Sequence, residues 1–518
     1  MRTAARPSSR RPRSGYNMAM SAQPAANPAM SSATPRVIGL LAAMCIVVGS
    51  TFGIGIFNGP PQVAMYLPTA ALLLALWIGA GVLSLGGAFA DAELGAMMPK
   101  AGGDFVFQRA AFGPSVAFAS GWMLVTGVYA AGLAYMTVAL SEIHVQNLLN
   151  WVSPGAIDLK RTLFAVPALK WEAIGTVFPE IAITPARIAA SVFMLVFTLL
   201  NVWGTRQSAR VQTVLTLVPF AIVGLFALVT LVLTPDPMTA REVTGAPSAA
   251  PPEFTLKNLV LAYMPVFFAY SGWNVVIYVG GEVSNPGKVI PRALIAGLCA
   301  ITALYALLNI AFVHALGMDG LRAIGEQGGE AGARTAAVFI GQGGQLVMTL
   351  LMTIALLTAT NGNVLTGARI AYAMGREGAF WKGAGQLSRR DTPAIALWVQ
   401  AILTIAMIFT GTFNQLLQIC SIAMIMSGCL NVLAMFTLRW TQPNSARPYR
   451  ATLYPVLPAL YVLANLLAIG VMAWGAMFPG EGKPRDWMPL LGVALFVVVS
   501  LGHASWRMLA GDRQAAAT

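Results

Sequence analysis

Twelve long apolar runs occupy the sequence between residues 36 and 510, and they limit the chain to folds that a lipid bilayer can hold. About 20 apolar residues cross a hydrocarbon layer about 30 Å thick. In lipid every backbone amide must be satisfied within the protein, so runs of this length predict helices. The predicted spans are residues 36–58, 69–97, 114–145, 186–203, 209–233, 259–282, 290–316, 345–373, 393–411, 414–440, 451–478 and 487–510.

The composition supports the same class of protein. Hydrophobic residues make up 57% of the chain and charged residues 10%, whereas soluble domains carry about 25% charged residues. We therefore predict an all-α polytopic membrane protein with twelve transmembrane helices and both termini on one side. The cysteines fall in apolar runs without metal-ligand spacing, which predicts free, buried thiols and no metal site. They are Cys45, Cys299, Cys420 and Cys429.

The distribution of positive charge indicates the orientation. With a cytoplasmic N-terminus, 22 Lys and Arg residues lie on the cytoplasmic side and 10 on the other, as the positive-inside rule requires. The net charge of +13 then reflects topology and contact with anionic lipids, not a nucleic-acid partner. Residues 1–35, rich in Arg, Pro and Ser, predict a disordered basic cytoplasmic tail, and residues 511–518 a short cytoplasmic one. We expect the protein in the cell membrane.

The first apolar run is interrupted at Gly49–Phe57, which reads Gly-Ser-Thr-Phe-Gly-Ile-Gly-Ile-Phe. Each glycine costs a helix about 1 kcal/mol relative to alanine, so the pattern predicts a broken helix. Unwound backbone at membrane depth persists only where it is buried in protein or lines a cavity, and amides at a half-helix N-terminus favour an anion. Close helix packing through small residues is the alternative interpretation.

A second interruption lies at Phe267–Asn274 in the sixth run and reads Phe-Phe-Ala-Tyr-Ser-Gly-Trp-Asn. Discontinuous helices at corresponding places in two halves of a chain are typical of inverted-repeat transporters and mark their substrate site. The two breaks therefore predict a carrier. Residues 99–113 are amphipathic and predict an interfacial helix that packs under the substrate path. Residues 146–185, 234–258 and 317–344 are polar enough to form extracellular caps.

Five segments carry a family resemblance. They are the first break, Pro99–Phe107, Phe268–Asn274 with Glu282–Pro286, Tyr372–Gly378, and Arg447–Arg450 with Tyr454–Pro458. In this order they resemble the amino acid–polyamine–organocation (APC) superfamily of permeases, and within it the L-type amino acid transporters and their bacterial relatives. The likeness extends over residues 36–506.

The resemblance implies a LeuT-like fold. Two inverted five-helix repeats, residues 36–233 and 259–440, would contain discontinuous helices 1 and 6, and two peripheral helices would follow at residues 451–510. Amino acids would cross the membrane by alternating access between these halves. The resemblance also implies a substrate site in which the first break holds the carboxylate and the carbonyls of the second break hold the α-ammonium. Its residues are Ser50, Thr51, Gly53, Ile54 and Gly55 for the carboxylate, and Phe268, Ala269 and Ser271 for the ammonium. Phe268 also matches an aromatic gate that closes over the substrate.

Two positions depart from the family pattern. Many members have Ser where this chain has Ile54, so one hydroxyl is absent. Pro219 stands where a Lys is common, at the place where sodium sits in sodium-coupled relatives. Proline cannot titrate, so proton coupling through that amine is excluded, and water, another cation or repacking would take its place.

The distribution of Asp and Glu limits the charge that the side chain of the substrate can carry. No Asp or Glu occurs in the first, eighth or tenth runs, and Asp91, Glu93 and Glu142 lie toward the ends of spans. A desolvated cationic side chain needs a partner, so neutral L-amino acids are favoured. Exchange or uniport is the expected mode, and a proton- or sodium-coupled symporter or a non-transporting sensor of the same fold are the alternatives.

Glu282 follows the second break and is either a proton relay or an inner gate, and we favour the gate, with Arg369 or Arg376 as its partner. Several other polar residues either face the pocket or join helices, and both interpretations stay open. They are Thr358, Asn361, Ser421 and Asn431.

Other functional classes find less support. The histidines are scattered without the spacing of a metal or catalytic cluster, so neither an enzyme nor a cofactor is predicted. A channel would need a symmetric pore or a selectivity filter. Heavy-chain partners in the resembling family bind through a cysteine in the second extracellular loop. Residues 146–185 contain no cysteine, so no disulfide-linked heavy chain is expected.

Overall fold

The structure is a computed structural model, and most of the chain is described in it. The described residues are 36–167, 169–171, 175–178, 180–233, 242–245, 250–410, 413–477 and 488–515. The predicted tail at residues 1–35 lies outside them. Of the predicted C-terminal tail, residues 511–515 continue the last helix.

Helices dominate the described residues. In chain order they are α1 (Leu40–Thr51), α2 (Gly55–Ala64), α3 (Ala70–Met97), α4 (Asp104–Phe112), α5 (Pro114–Val152), α6 (Pro185–Trp203), α7 (Thr205–Val232), α8 (Leu256–Tyr270), α9 (Val275–Tyr278), α10 (Pro286–Glu326), α11 (Ala331–Arg376), α12 (Ala394–Thr410), α13 (Phe413–Thr441), α14 (Val456–Met477) and α15 (Met488–Ala515). Short 3₁₀ turns lie at Gly280–Glu282 and Lys382–Gly385.

Eight helices within the described residues are long and apolar enough to cross a membrane on their own, and the bent pair α1 and α2 makes a ninth. The other three predicted spans correspond to α8 with α9, to α12 and to α15. Residues 317–344, predicted as a polar cap, contain the end of α10 and the start of α11. Both of these long helices are kinked, at Gly317 with φ of 65° and at Gly341 with φ of 66°.

The loop between α5 and α6 is an exception to the all-α prediction. Strand β1 (Phe164–Val166) pairs antiparallel with β4 (Ile181–Ile183), and β2 (Leu169–Trp171) with β3 (Gly175–Phe178). A small sheet is possible here because the segment lies outside the long apolar helices, where water can satisfy exposed sheet edges. Of the four cysteines, Cys299 is exposed, so its predicted burial is wrong, whereas the other three are buried.

The packing brings the two interrupted helices together. α10 packs along α3, α1 and α2, and α8 packs on α2. At one end of the bundle Ile38 pairs with Val283, and Ala101 with Val279; we call this the Ile38 end. At the other end Arg322 bonds to the carbonyls of Ala64 and Leu67, and we call it the Arg322 end.

Candidate functional site

The first break separates α1, which ends at Thr51, from α2, which begins at Gly55, and the two helices are bent by 41°. The amide nitrogens of Gly53 and Ile54 have no hydrogen-bond acceptor among the described residues. Unpaired amides beside the N-terminus of a half-helix attract a negative charge. The interruption expected from the glycine pattern is therefore present, and it offers donors for an anion.

The second break separates α8 from α9, and its backbone turns sharply at Gly272. The φ of Gly272 is +93°, a conformation that side chains with a Cβ rarely adopt. Just before it, the amide and the hydroxyl of Ser271 both donate to the carbonyl of Phe268, at 3.1 and 2.6 Å. The end of α8 is thus closed by Ser271 instead of by a further turn of helix.

The two breaks lie in direct contact. A Cβ on Gly55 would lie 2.6 Å from the Cα of Ala269, and a Cβ on Gly272 would lie 2.6 Å from the carbonyl oxygen of Ser50. Neither position has room for a methyl group, because real Cβ atoms do not approach backbone atoms so closely. Both glycines are therefore needed for the close approach of backbone to backbone.

Tyr305 of α10 joins the breaks with one hydroxyl. Its oxygen lies 3.0 Å from the carbonyl of Thr51 and 2.9 Å from that of Ala269, so one donor serves both half-helix ends. Trp77 and Tyr270 hold the ring in place, with centroids 5.6 and 5.0 Å from it. The sequence analysis missed Tyr305, since a tyrosine in an apolar run carries no signal by itself.

A narrow cavity runs alongside the breaks. Ser50, Phe268, Ser271 and Gly272 line it, together with side chains from α5, α11 and α13. Phe268 is half-buried, and its ring meets Tyr135 edge to face at a centroid distance of 5.3 Å. A second cavity on the other side of Ser271 and Gly272 extends toward the Ile38 end.

The implied carboxylate residues differ in what they present to the cavity. The Ser50 hydroxyl is buried without a hydrogen-bond partner among the described residues. The Thr51 hydroxyl donates to Val47 in its own helix at 2.8 Å. Ile54 packs into a small apolar cluster beside Phe268. Side-chain chemistry at the first break thus comes from Ser50 alone, and Gly53, Ile54 and Gly55 offer backbone.

The implied ammonium acceptors also differ. The carbonyl of Phe268 already accepts two bonds from Ser271, and that of Ala269 accepts one from Tyr305. The Ser271 carbonyl has no donor among the described residues. Of the three carbonyls, that of Ser271 is the readiest acceptor in this conformation.

A ladder of buried amides reaches the first break from the side. Asn201 donates to Asn361 at 3.0 Å, and Asn361 donates to Gln212 at 3.1 Å. The Nε2 atom of Gln212 and the hydroxyl of Ser50 both face Gly362, where a Cβ would lie 3.2 and 2.6 Å from them. Asn361 of α11 therefore joins this helix to α6 and α7. Of its two predicted roles, facing the pocket or joining helices, the structure shows the second.

Pro219 lies buried inside α7. A proline lacks the N–H that would bond to the carbonyl four residues earlier, here that of Leu215. The Thr358 hydroxyl of α11 lies 3.1 Å from this carbonyl and 2.7 Å from the carbonyl of Ile354 in its own helix. A neutral hydrogen bond between α7 and α11 thus occupies the region where the family commonly has a lysine.

An ion pair lies at the Ile38 end. Arg369 donates to the carboxylate of Glu282 through Nε at 2.9 Å and through a terminal nitrogen at 2.8 Å. Beside it, Ile38 donates to the Glu282 carbonyl at 3.0 Å, and Ser284 donates back to Ile38 at 2.9 Å. The start of α1 and the segment after α9 are therefore fastened to each other and, through Arg369, to α11.

Two acids are buried beneath the second break. Asn431 donates to Asp91 at 2.9 Å and to Asp104 at 2.7 Å, and Ser427 donates to Asp104 at 2.5 Å. Asp104 also lines the cavity below Gly272. The sequence analysis placed no carboxylate near the cavity, because it searched spans and the carboxylate of Asp104 comes from the interfacial helix α4, which folds into the bundle.

The Arg322 end is fastened differently. Arg322 donates to the carbonyls of Ala64, Leu67 and Pro68 at 3.1, 3.3 and 2.8 Å, which places a cation at the C-terminus of α2, where the helix dipole favours it. Glu330, just before α11, is buried, and this burial raises its pKa to about 8. This end of the first broken helix is thus held by carbonyl contacts.

The comparison with known proteins agrees with this geometry. The sequence profile of the amino acid permease family matches residues 38–500. The serine/threonine exchanger SteT of Bacillus subtilis is 26% identical over 442 residues, which cover 84% of this chain and 90% of that protein.

Two mouse proteins are similar over comparable lengths. The b(0,+)-type amino acid transporter 1 is 26% identical over 84% of this chain and 82% of its own. The large neutral amino acids transporter small subunit 2 is 28% identical over 83% of this chain and 75% of its own. This chain belongs to the amino acid permease family, and with its apolar helices it is a multi-pass membrane protein. The predicted resemblance to APC permeases is confirmed.

Proposed function

We propose that this permease exchanges neutral L-amino acids across the cell membrane by alternating access. The observation that carries the proposal is the contact of two helix breaks beside one cavity that Ser50 and Ser271 line. The amides of Gly53 and Ile54 in the first break and the carbonyl of Ser271 in the second have no hydrogen-bond partner among the described residues. An amino acid presents a carboxylate and an ammonium group at a fixed separation. Unpaired donors in one break and an unpaired acceptor in the other are complementary to these two groups.

The acids near the cavities support a substrate with a neutral side chain. Asp104, the acid that reaches a cavity wall, is engaged by Ser427 and Asn431, and Glu282 is paired with Arg369. A cationic substrate side chain would have to compete with these partners. The names of two relatives, a serine/threonine exchanger and a large neutral amino acids transporter, favour the same substrate class and exchange.

The proposed architecture has twelve spans in a LeuT-like arrangement. Residues 36–233 and 259–440 form the two inverted repeats, residues 451–510 form the peripheral helices, and both termini are cytoplasmic. The excess of Lys and Arg at the Ile38 end supports this orientation. The Ile38 end is then the cytoplasmic end, and Glu282 with Arg369 is its gate.

We further propose that the protein works without enzymatic chemistry and without a disulfide-linked heavy chain. The lack of cysteine in residues 146–185 supports the second statement. The three relatives named above are transporters or exchangers by name, which supports the first.

Exchange is tested by counterflow. Purified protein in liposomes loaded with unlabelled leucine, alanine or serine should take up the labelled amino acid several-fold faster than in empty liposomes, because the return step then carries substrate. Lysine loading should give little stimulation, since the one acid among the described residues that line the two cavities, Asp104, is already bonded to Ser427 and Asn431. If none of the twenty amino acids inside the liposomes stimulated uptake, the exchange proposal would be refuted.

Ion coupling is tested with gradients. An inward proton or sodium gradient alone should give little accumulation over a no-gradient control, because Pro219 cannot titrate and Thr358 is bonded to Leu215. Concentrative uptake into empty vesicles with either ion would overturn the exchanger proposal in favour of a symporter. The Pro219→Lys variant should then be compared with wild type for a new pH dependence.

The gate role of Phe268 is tested by Phe268→Ala. Loss of the ring that packs on Tyr135 should let water into the cavity and lower the rate of uptake about tenfold while the protein stays folded. Phe436→Ala is the matched control, because Phe436 is also half-buried and meets Tyr454 at 5.1 Å, away from both breaks. Equal uptake by wild type and Phe268→Ala would refute the gate assignment.

A further inference from the structure

A groove opens at the Ile38 end between the first turns of α1 and the first turns of α10. Leu40 and Met44 of α1 form one wall, and Ile295 and Ala296 of α10 form the other, with the loop at Tyr449 closing one side. Leu40 and Ala296 are exposed and Met44 and Ile295 are half-buried. The groove is therefore an open apolar surface beside α1, the half-helix that ends at the first break.

Two cations stand at the rim of this groove. Lys288 and Arg292 are exposed and lie four residues apart near the N-terminus of α10, so they share one face of the helix. Neither has a carboxylate partner among the ion pairs of the described residues. By contrast Arg369, Arg439 and Arg447 at the same end are all paired with acids.

An apolar groove under two unpaired cations matches an anionic amphiphile. We propose that the groove binds one anionic phospholipid, with its phosphate against Lys288 and Arg292 and an acyl chain along Leu40, Met44 and Ile295. The position of the two cations near the first turn of α10 adds the favourable end of the helix dipole. Juxtamembrane Lys and Arg attract anionic lipids by the same electrostatics.

The bound lipid would act on the first break. α1 forms a wall of the groove, and at Gly297, the residue after Ala296, a Cβ would lie 2.7 Å from the Cγ1 of Val47, so α10 and α1 are in contact next to the groove. A lipid seated between their first turns holds α1 against α10. The bound lipid would therefore restrain α1, the half-helix that ends at the first break.

The test is native mass spectrometry of the purified full-length protein with phosphatidylglycerol or phosphatidylcholine added to the detergent. The wild type should retain one phosphatidylglycerol molecule and little phosphatidylcholine. Lys288→Gln/Arg292→Gln should weaken phosphatidylglycerol retention about thirty-fold, from two cation contacts. Lys382→Gln/Arg390→Gln removes the same charge from exposed positions at the Ile38 end and should leave retention unchanged.

A second variant tests the acyl-chain part of the site without changing charge. Ala296→Trp should fill the groove and lower phosphatidylglycerol retention to a similar extent, and inorganic phosphate at millimolar concentration should not displace the lipid. Equal retention of both lipids by the wild type would overturn the proposal. So would unchanged retention in the Lys288/Arg292 variant, or displacement by phosphate alone, which would indicate an ion site on the helix end.

Discussion

Gly272→Ala is expected to abolish amino acid uptake, with initial rates in liposomes at least tenfold below wild type. Its new methyl group would lie 2.6 Å from the Ser50 carbonyl oxygen, and the backbone would keep a φ of +93° that alanine adopts only with strain. Such strain costs on the order of 1–3 kcal/mol. The two breaks would be forced apart at the point where the cavity meets both, so substrate binding should be lost first.

Gly113→Ala is the control that separates backbone strain from the collision of the new methyl group. Gly113 has a φ of +83° and no atom within 4 Å of its ideal Cβ position, so this variant carries the backbone strain without the collision. It should lower the melting temperature by a few degrees and keep most of the uptake. Uptake by Gly272→Ala at the level of Gly113→Ala would show that the contact between the breaks is dispensable.

Asn431→Ala is expected to destabilise the whole bundle. Asn431 gives one amide hydrogen to each of two buried carboxylates, Asp91 and Asp104, so its loss leaves both without that donor. An unsatisfied buried group costs about 1–3 kcal/mol, and more when it is charged. We expect a clearly lower melting temperature in detergent and little functional protein in membranes, because α3, α4 and α13 lose their common contact.

Asn309→Ala provides the control for this variant. Asn309 is equally buried, but among the described residues its amide nitrogen bonds only to the carbonyl of Tyr305 in its own helix, so its loss should cost about 1 kcal/mol. Adding Asp91→Asn to Asn431→Ala should recover part of the lost stability, since it removes one charge and supplies a new donor. A double variant no more stable than Asn431→Ala would refute the assignment of the loss to the acid pair.

The two ends of the bundle are closed by different contacts, which bears on how each would open in the proposed transport cycle. In the proposed cycle, opening at the Ile38 end would separate Glu282 from Arg369 and Ile38 from the segment after α9. At the Arg322 end, α2 is held by carbonyl contacts with a single arginine. A buried ion pair that is broken leaves uncompensated charge unless water reaches it. If Glu282 and Arg369 form the proposed gate, we therefore expect water to reach Glu282 when this end opens.

Much of this protein is determined by sequence, because a bilayer allows few solutions. Apolar runs of sufficient length must become helices, and glycine-rich interruptions in them must be covered or line a cavity. On that basis the helical spans, the two breaks at Gly49–Phe57 and Phe267–Asn274, and the family could all be predicted. The substrate residues inferred by resemblance remain predictions that the variants above test.

What the sequence could not supply are contacts between residues far apart in the chain. Tyr305 bridges Thr51 and Ala269, yet in the sequence it looks like an ordinary residue of an apolar run. Asn431 was recognised as either a pocket residue or a link between helices, but its partners Asp91 and Asp104 could not be predicted. Their roles depend on which helix faces which, and that follows from packing over the whole bundle. Sequence by itself determined where the helices must break, and only the tertiary structure decided which side chains hold the breaks together, since hydrogen-bond partners are set by distance in space.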